Sequence, residues 1–322
     1  MEKELELWRF VAERLQQNDA ATLLVVAQSA GSSPGRPGFK MAIAAEEMCG
    51  SIGGGVMEVK LVEQAKFKIQ NEQFKNDAEI VEQQHRKNAP HASGMICSGR
   101  QTVIFFRLNR RHLETVREIV GALENQQPKT LRISDSQFQI LDNEAEDFDF
   151  RFVQKSADEF LYEERLGFKN RLFIVGGGHC ALALSEIAAK LDFHISLFDD
   201  RADLNTLAKN RFVHEKRIID SYENIDEFIP SGADTYVVVM TLGYKSDELV
   251  IRKLFDKNFK YFGVLGSRAK MKTLLKNLAE ENFDEEKLSR IRTPVGLQIN
   301  SRTPEEIAVS IAAEIIRVKN AA

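Results

Sequence analysis

The first half of the chain mixes apolar residues at helical spacing with apolar residues in short continuous runs. Leu5, Trp8, Val11 and Leu15 recur at helical spacing and predict a surface helix over residues 3–17. Runs of β-branched and aromatic residues predict strands between the helical stretches. Such a mixture is typical of an α+β domain. The predicted strands are 22–26, 40–44, 78–82, 102–108, 131–133 and 138–141, and a further helix is predicted over 111–123.

Two clusters of turn-forming residues interrupt this half. Ser29–Gly38 contains three glycines and two prolines, and Gly50–Gly55 contains four glycines directly before a helical pattern. Consecutive backbone N–H groups at a helix start suit an anion such as a phosphate, although a glycine triplet also suits a plain hairpin. The helix is predicted to bury one apolar face. Its members are Val56, Val59, Val62, Ala65 and Ile69.

Two charged residues lie in or beside these clusters. Glu58 falls in the first turn of the predicted helix, where the helix dipole favours a carboxylate with or without a ligand. Arg36, between Gly35 and Pro37, is placed either to reach a phosphate or to remain an exposed loop cation.

The rhythm changes near residue 171, where strands and helices begin to alternate. Alternation of this kind predicts a mostly parallel sheet with helices on both faces, which is a doubly wound, Rossmann-like fold. Asp142–Glu164 is acidic and lacks clear periodicity, so a boundary is predicted near 155–168. We therefore predict an α/β chain, with an α+β domain over 1–160 and a Rossmann-like domain over 168–322. The predicted strands are 172–175, 194–198, 235–240 and 261–265, and helices are predicted near 180–190, 202–208, 246–256 and 268–280.

A glycine-rich turn opens the second domain. Gly176-x-Gly178-x-x-Ala181 follows an apolar strand, and Asp199 ends the next one. In a dinucleotide-binding fold the glycines admit a pyrophosphate and the acid binds a ribose hydroxyl. The alternative is a ligand-free tight turn, with Asp199-Asp200-Arg201 capping the following helix. His179 begins the helix, facing either a ligand or a solvent-exposed corner.

Composition narrows the function further. The net charge is -4 and the pI is near 6.0, so nothing favours a nucleic acid partner. Cys49, Cys97 and Cys180 are odd in number and widely spaced, which favours a reducing, cytoplasmic setting over a disulfide framework. No apolar run of about 18 residues predicts a membrane span or a secretion signal. Cys97, in a constrained turn before a strand, is suited to soft-metal or sulfur chemistry, or is inert.

Taken in order along the chain, these stretches resemble the XdhC/CoxI family, accessory proteins of molybdenum hydroxylases such as xanthine dehydrogenase. Several separated matches are more specific than any one glycine loop. The motifs are Gly31–Gly38, Gly50–Gly55 with Glu58, Val175–Ala181 with Asp199–Arg201, Gly263–Arg268, Arg290-Ile291, Pro294–Leu297 and Arg302–Ile307.

The resemblance implies a chaperone that binds and shields molybdenum cofactor (molybdopterin), assists its sulfuration through a cysteine desulfurase, and delivers it to an apo-hydroxylase. It assigns no catalytic or metal-ligating residue. The predicted cofactor-binding residues are Ser33, Arg36, Gly53, Gly54, Gly55, Glu58, Cys97, Gly176, Gly178, His179 and Asp199.

The chain departs from the family pattern at several positions. Val56 replaces a frequent cysteine, Ser98 replaces a glycine after Cys97, and Leu242 and Tyr244 stand where histidines are expected. These differences count against a metal-binding or catalytic role of the second domain. The alternative, an NAD(P)-dependent oxidoreductase that uses the second domain or binding of another nucleotide there, rests instead on Gly176, Gly178 and Asp199. A protein whose loops serve only as turns is a third reading, and a homodimer is compatible with each.

Overall fold

The structure is a computed structural model, and it describes residues 1–71, 73–74, 76–84, 99–142, 148–156 and 159–321. The chain divides into two compact units, Met1–Gly167 and Phe168–Ala322. Within the described ranges, no helix combines the length and apolar character needed to cross a bilayer.

The described part of the first unit surrounds two antiparallel sheets with α-helices. The larger sheet has the strand order β3-β2-β1-β5-β4, and the smaller one β7-β6-β9-β8. The helices are α1 (Glu2–Gln16), α2 (Gly55–Gln70) and α3 (Leu113–Glu124); the strands are β1 (Ala21–Gly31), β2 (Lys40–Ala44), β3 (Glu47–Gly50), β4 (Ala78–Gln84), β5 (Gly99–Leu108), β6 (Lys129–Ser134), β7 (Phe138–Asp142), β8 (Phe150–Gln154) and β9 (Phe160–Arg165).

Strand β1 separates two apolar cores. Its side chains point alternately to the two faces of the sheet, as in any strand. Leu23 and Val25 enter a core shared with α1, α3 and the smaller sheet. Leu24 and Val26 enter a second core under α2. Burial on both faces explains why β1 is a continuous apolar run rather than an alternating one.

Helix α2 exists as predicted, but it buries a different face. Its buried residues are Met57, Leu61 and Ala65, one turn apart. Val56 is 46% exposed and Val59 is 56% exposed, so the predicted apolar face was wrong at its first turn. The predicted set begins at Val56, whereas the buried row begins one residue later at Met57, which is 2% exposed.

The stretch predicted to lack periodicity contains two strands. Strand β9 alternates Phe160, Tyr162 and Glu164 on its buried side. A buried glutamate hides this pattern from a hydrophobicity analysis, and Glu164 is tolerated because Lys40 pairs with it. The smaller sheet therefore has four strands instead of the expected two, and it extends to Arg165.

The second unit is a parallel five-stranded sheet with the order β12-β11-β10-β13-β14, which confirms the Rossmann-like prediction. Separate apolar cores cover its two faces. The polar edge strand β12 was not predicted. The strands are β10 (Asn170–Val175), β11 (Phe193–Asp199), β12 (Glu215–Ile218), β13 (Gly232–Val239) and β14 (Phe259–Val264); the helices are α4 (His179–Ala189), α5 (Asn205–Lys209), α6 (Ile225–Phe228), α7 (Tyr244–Leu254), α8 (Arg268–Glu280), α9 (Glu285–Arg290) and α10 (Pro304–Lys319).

Candidate functional site

The two glycine-rich clusters of the first unit meet at one end of the larger sheet. Strand β1 ends there at Gly31, which pairs with Gly99 at the start of β5. A Cβ atom at Gly53 would lie 2.6 Å from the carbonyl carbon of Pro34 and 2.7 Å from the Cα of Gly35. Glycine is required where two backbones approach this closely, because any side chain would separate them. The clusters, distant in sequence, therefore form one surface.

Gln101 joins these loops from below. Its side chain is 1% exposed and lies on β5. The hydroxyl of Ser33 donates to Gln101 Oε1 at 2.8 Å, and Gln101 Nε2 donates to the carbonyl oxygen of Ile52 at 3.1 Å. Ser33 is thus buried, and its hydrogen bond to Gln101 holds the loop in this conformation. Sequence reasoning missed Gln101, although a glutamine inside an apolar strand is a recognisable signal of a buried polar contact.

Glu58 folds back onto the loop that precedes its helix. Its Oε2 accepts from the hydroxyl of Ser51 (2.6 Å), the N–H of Ile52 (2.9 Å) and the N–H of Gly54 (3.0 Å). Burial opposes ionisation, but these hydrogen bonds outweigh it and lower the pKa of the Glu58 carboxyl. The N–H groups of Ile52 and Gly54 therefore already hold an anion, supplied by the protein itself.

Open space remains directly beside that carboxylate. Gly54 and Gly55 have φ angles of 75° and 71°, and within the described part of the chain a Cβ at either position would meet no atom within 4 Å beyond its own chain neighbours and the adjoining helix backbone. Arg36 is exposed and donates through Nη1 to the carbonyl oxygen of Ser33 at 2.8 Å. The structure brings Ser33, Arg36, Gly53–Gly55 and Glu58 to one loop surface. Cys97 lies outside the described residues.

A buried ion cluster supports the first loop. Lys40 Nζ lies 2.7 Å from Glu164 Oε2 and 3.1 Å from Glu4 Oε1, and it donates to the carbonyl oxygen of Gly38 at 3.1 Å. Tyr162 donates its hydroxyl to the same Glu164 oxygen. Burial opposes the charge on Lys40, but the two carboxylates outweigh it and raise the pKa of the ammonium group. Lys40 thereby fixes the end of the loop to the core.

In the second unit, the glycine turn connects β10 to α4 at the carboxyl edge of the parallel sheet. Gly176 has φ of 109°, and a Cβ there would lie 2.6 Å from the carbonyl carbon of Met240. Gly178 has φ of -71°, and apart from its chain neighbours no atom of the described residues lies within 4 Å of its Cβ position. Gly176 is therefore required by the fold, whereas Gly178 is open to an incoming group. His179 is the first residue of α4 and is exposed.

Asp199 holds this turn from beneath. Its carboxylate is fully buried, and it accepts from the N–H of Gly177 at 2.6 Å. It also accepts from the N–H, Nε and Nη2 of Arg201, all within 2.9 Å. Burial raises the cost of its charge, but these bonds outweigh it and lower the pKa of Asp199. Asp199 caps the glycine turn, and not the following helix as one reading of the sequence expected; contact with a ribose stays a prediction.

The loop that follows β13 (residues 240–243) lies at the same carboxyl edge of the sheet as the glycine turn. Asp247, 1% exposed, accepts from the N–H of Thr241 at 3.1 Å and lies 2.9 Å from Lys270 Nζ. Leu242, in the same loop, is 80% exposed. Strand order reverses between β10 and β13, which is where open parallel sheets bind ligands. Among the described residues, no group of three or more histidine, cysteine, aspartate or glutamate side chains could hold a metal ion.

Comparison with known families agrees with both units. The family model described as XdhC Rossmann domain matches residues 172–315, and the one described as XdhC and CoxI family matches residues 14–75. The chain belongs to the XdhC and CoxI family. The second of these matches includes both glycine clusters of the first unit, and the first includes the Gly176–Gly178 turn.

Relatives of this XdhC and CoxI family chain include three curated bacterial proteins. An uncharacterised protein of Escherichia coli, YqeB, is 32% identical over 156 residues, which are 48% of this chain and 28% of YqeB. A probable xanthine dehydrogenase subunit from Bacillus subtilis is 25% identical over 95% of both chains. The molybdenum cofactor insertion chaperone PaoD of Escherichia coli is 22% identical over 97% of this chain and 87% of PaoD.

A solved structure shares the fold. The crystal structure of a protein described as a xanthine dehydrogenase from Bacillus halodurans matches with a TM-score of 0.72 and 20% identity. The match covers 98% of this chain and 95% of that one. The two proteins thus share a fold over nearly the full length of both chains.

Proposed function

We propose that this protein binds molybdenum cofactor, protects it and delivers it to a xanthine dehydrogenase-type hydroxylase. The carrying observation is the joined loop surface of the first unit, where backbone at Gly54 and Gly55 is open beside the start of α2. The names of two relatives support the same role, one as a cofactor insertion chaperone and one as a probable component of xanthine dehydrogenase.

The residues of this surface fit a large ligand that carries both a flat ring and a phosphate. Glycines without neighbouring atoms let a ring lie against the backbone. The N–H groups in the first turn of α2 and the exposed guanidinium of Arg36 supply positive ends for a phosphate. The hydrogen bonds of Glu58 hold the backbone of Ser51–Gly54 in the conformation that such a ligand would meet. When bound, the cofactor would bring the redox-active molybdenum, and this chain would supply a complementary surface and hydrogen bonds.

Delivery implies two protein partners and a sequence of contacts. We propose an apo-hydroxylase as the acceptor and a cysteine desulfurase as the source of sulfur for the bound cofactor. A homodimer would enlarge the protecting surface. The corresponding measurement is size-exclusion chromatography with light scattering, run on the protein alone and mixed with each partner.

The binding step is tested by anaerobic mixing with molybdenum cofactor followed by gel filtration. Molybdenum and pterin fluorescence should elute together with the protein. Arg36→Ala should reduce the retained cofactor, whereas Arg117→Ala, an exposed arginine on α3, should not. If wild-type protein elutes free of molybdenum and pterin, the carrier function is wrong.

A second candidate is an NAD(P)-dependent oxidoreductase, favoured by the strand order of the second unit and by the open Gly178. Thermal shift with NAD, NADP and other nucleotides tests the binding it needs. Stabilisation by NAD or NADP together with measurable hydride transfer would favour the enzyme over the chaperone. Absence of stabilisation by every nucleotide would exclude it.

A further inference from the structure

Gln83, on β4, carries a buried acceptor that no group fills. The residue is 8% exposed, and its Oε1 atom is buried without a hydrogen-bond partner among the residues that the structure describes. Its Nε2 lies 3.5 Å from the carbonyl oxygen of Met57, in the first turn of α2. An unmatched buried acceptor costs about 1–3 kcal/mol, so its presence calls for a physical role.

The neighbouring glutamine shows that this position is unusual. Gln83 and Gln101 are directly opposite each other on β4 and β5. Both amide atoms of Gln101 are bonded, to Ser33 and to Ile52, and they join the two glycine clusters. The same residue type one strand away is left with its oxygen unmatched. The amide of Gln101 therefore stabilises the fold, whereas the Oε1 atom of Gln83 is available to accept a hydrogen bond.

We propose that Gln83 Oε1 accepts a hydrogen bond from a ring N–H of a heterocycle, namely the pterin part of the cofactor, bound beside the first turn of α2. This assignment rests on the proposed function. The unmatched atom is an acceptor, so it selects a donor and not a phosphate oxygen. The pyrimidine ring of a pterin carries such donors, a ring N–H and an amino group.

The amide has the freedom to reach a ligand. The terminal torsion of a glutamine is broad and roughly two-fold, so rotation about it is inexpensive. The present bond to Met57 is long at 3.5 Å and restrains the amide weakly. The residue as a whole is 8% exposed, but its Oε1 atom is buried, so a ligand must displace neighbouring atoms to reach it. The open backbone at Gly54 and Gly55 leaves room for a ring near the same helix start.

The test compares Gln83→Met with Thr22→Val. Thr22 is fully buried on β1 of the same sheet, and its hydroxyl is also unmatched, so Thr22→Val is a matched control. Urea unfolding should show both variants within about 1 kcal/mol of wild type, because each removes an unmatched polar atom and Gln83→Met in addition loses only the long bond to Met57. Fluorescence titration with free 2-amino-4-hydroxypteridine should show about tenfold weaker binding for Gln83→Met only, equivalent to about 1.4 kcal/mol.

Gln83→Glu retains an acceptor oxygen and should bind the free pterin more tightly than Gln83→Met does. Equal affinity of wild type and Gln83→Met, or no binding of the free pterin by wild type, would overturn the assignment and indicate that only water meets this oxygen. Retention of whole molybdenum cofactor by Gln83→Met at the wild-type level would overturn it too, while leaving the chaperone function standing. If the wild-type protein itself retains no molybdenum cofactor, the proposed chaperone function is wrong as well.

Discussion

Substitution of two glycines in the same turn is expected to lower the free energy of unfolding by very different amounts. Gly176→Ala places a Cβ 2.6 Å from the carbonyl carbon of Met240, at a φ of 109°. Carbon atoms in contact are normally about 3.5–4.0 Å apart, so β13 and the turn must separate by about 1 Å. Overpacking costs about 1–3 kcal/mol and a positive φ in a non-glycine residue about 1–3 kcal/mol. The expected loss is about 2–6 kcal/mol.

Gly178→Val should leave the fold almost unchanged. The residue has an extended conformation at φ of -71°, and its Cβ position has no neighbour within 4 Å. The remaining cost is the poorer helix-capping preference of valine, about 1 kcal/mol. The new side chain would occupy the space in which a pyrophosphate must approach the helix start. Nucleotide affinity, where wild type has it, should therefore be lost.

The assay is urea unfolding of each full-length variant, followed by circular dichroism, with nucleotide titration by thermal shift in parallel. Gly176→Ala should lower the midpoint for the second unit clearly, and Gly178→Val should lower it only slightly. A midpoint for Gly178→Val as low as that for Gly176→Ala would refute the packing argument. Unchanged nucleotide affinity in Gly178→Val would refute the binding position while leaving the packing argument intact.

Three further substitutions test the supporting contacts. Lys40→Met should lower the free energy of unfolding by about 3–5 kcal/mol, because it leaves Glu164 buried without its cation, and Lys40→Met with Glu164→Gln should recover part of the loss in urea unfolding. Glu58→Ala should cost about 1–2 kcal/mol by the same assay, because the loop before α2 loses three hydrogen bonds, whereas Glu63→Ala on the exposed side of α2 should change little. Because the pKa of Asp199 is lowered in the folded state, its ionised carboxylate stabilises the fold above about pH 4, and this stabilisation is lost as the pH falls through the folded pKa. Asp199→Asn should therefore have a lower free energy of unfolding at pH 7, and that free energy should fall less on acidification than in wild type. An acid profile of unfolding identical to that of wild type would contradict this.

The strand and helix alternation of the second unit was readable because its central strands are buried on both faces and form uninterrupted apolar runs. Strand β12 was missed because Glu215–Ile218 is a polar edge strand with little to bury. Strand β9 was missed because Glu164 occupies a buried position that pattern analysis reserves for apolar residues. In both places pairing with a distant residue or strand, and not the local pattern, decides the structure.

The sequence predicted which loops form the candidate site, but it did not predict which residues of those loops contact one another. Glycine clusters signal close backbone approach, but the sequence does not say which backbone approaches, and only the structure pairs Gly53 with Gly35. The helix dipole was expected to favour Glu58 at this position, but the sequence did not reveal that its carboxylate accepts from the N–H groups of Ile52 and Gly54 in the loop before the helix. The roles of Gln101 and Gln83 depend on their cross-strand pairing, which a single sequence does not reveal.

The most direct test of the chaperone function is transfer of cofactor to an apo-hydroxylase of the xanthine dehydrogenase type. Molybdenum cofactor is first bound to this protein, or kept free, then briefly exposed to air and mixed with the apo-enzyme. Hydroxylase activity is followed over time. A chaperone function predicts faster and more complete activation from the protein-bound cofactor. Activation no better than that from free cofactor would contradict it.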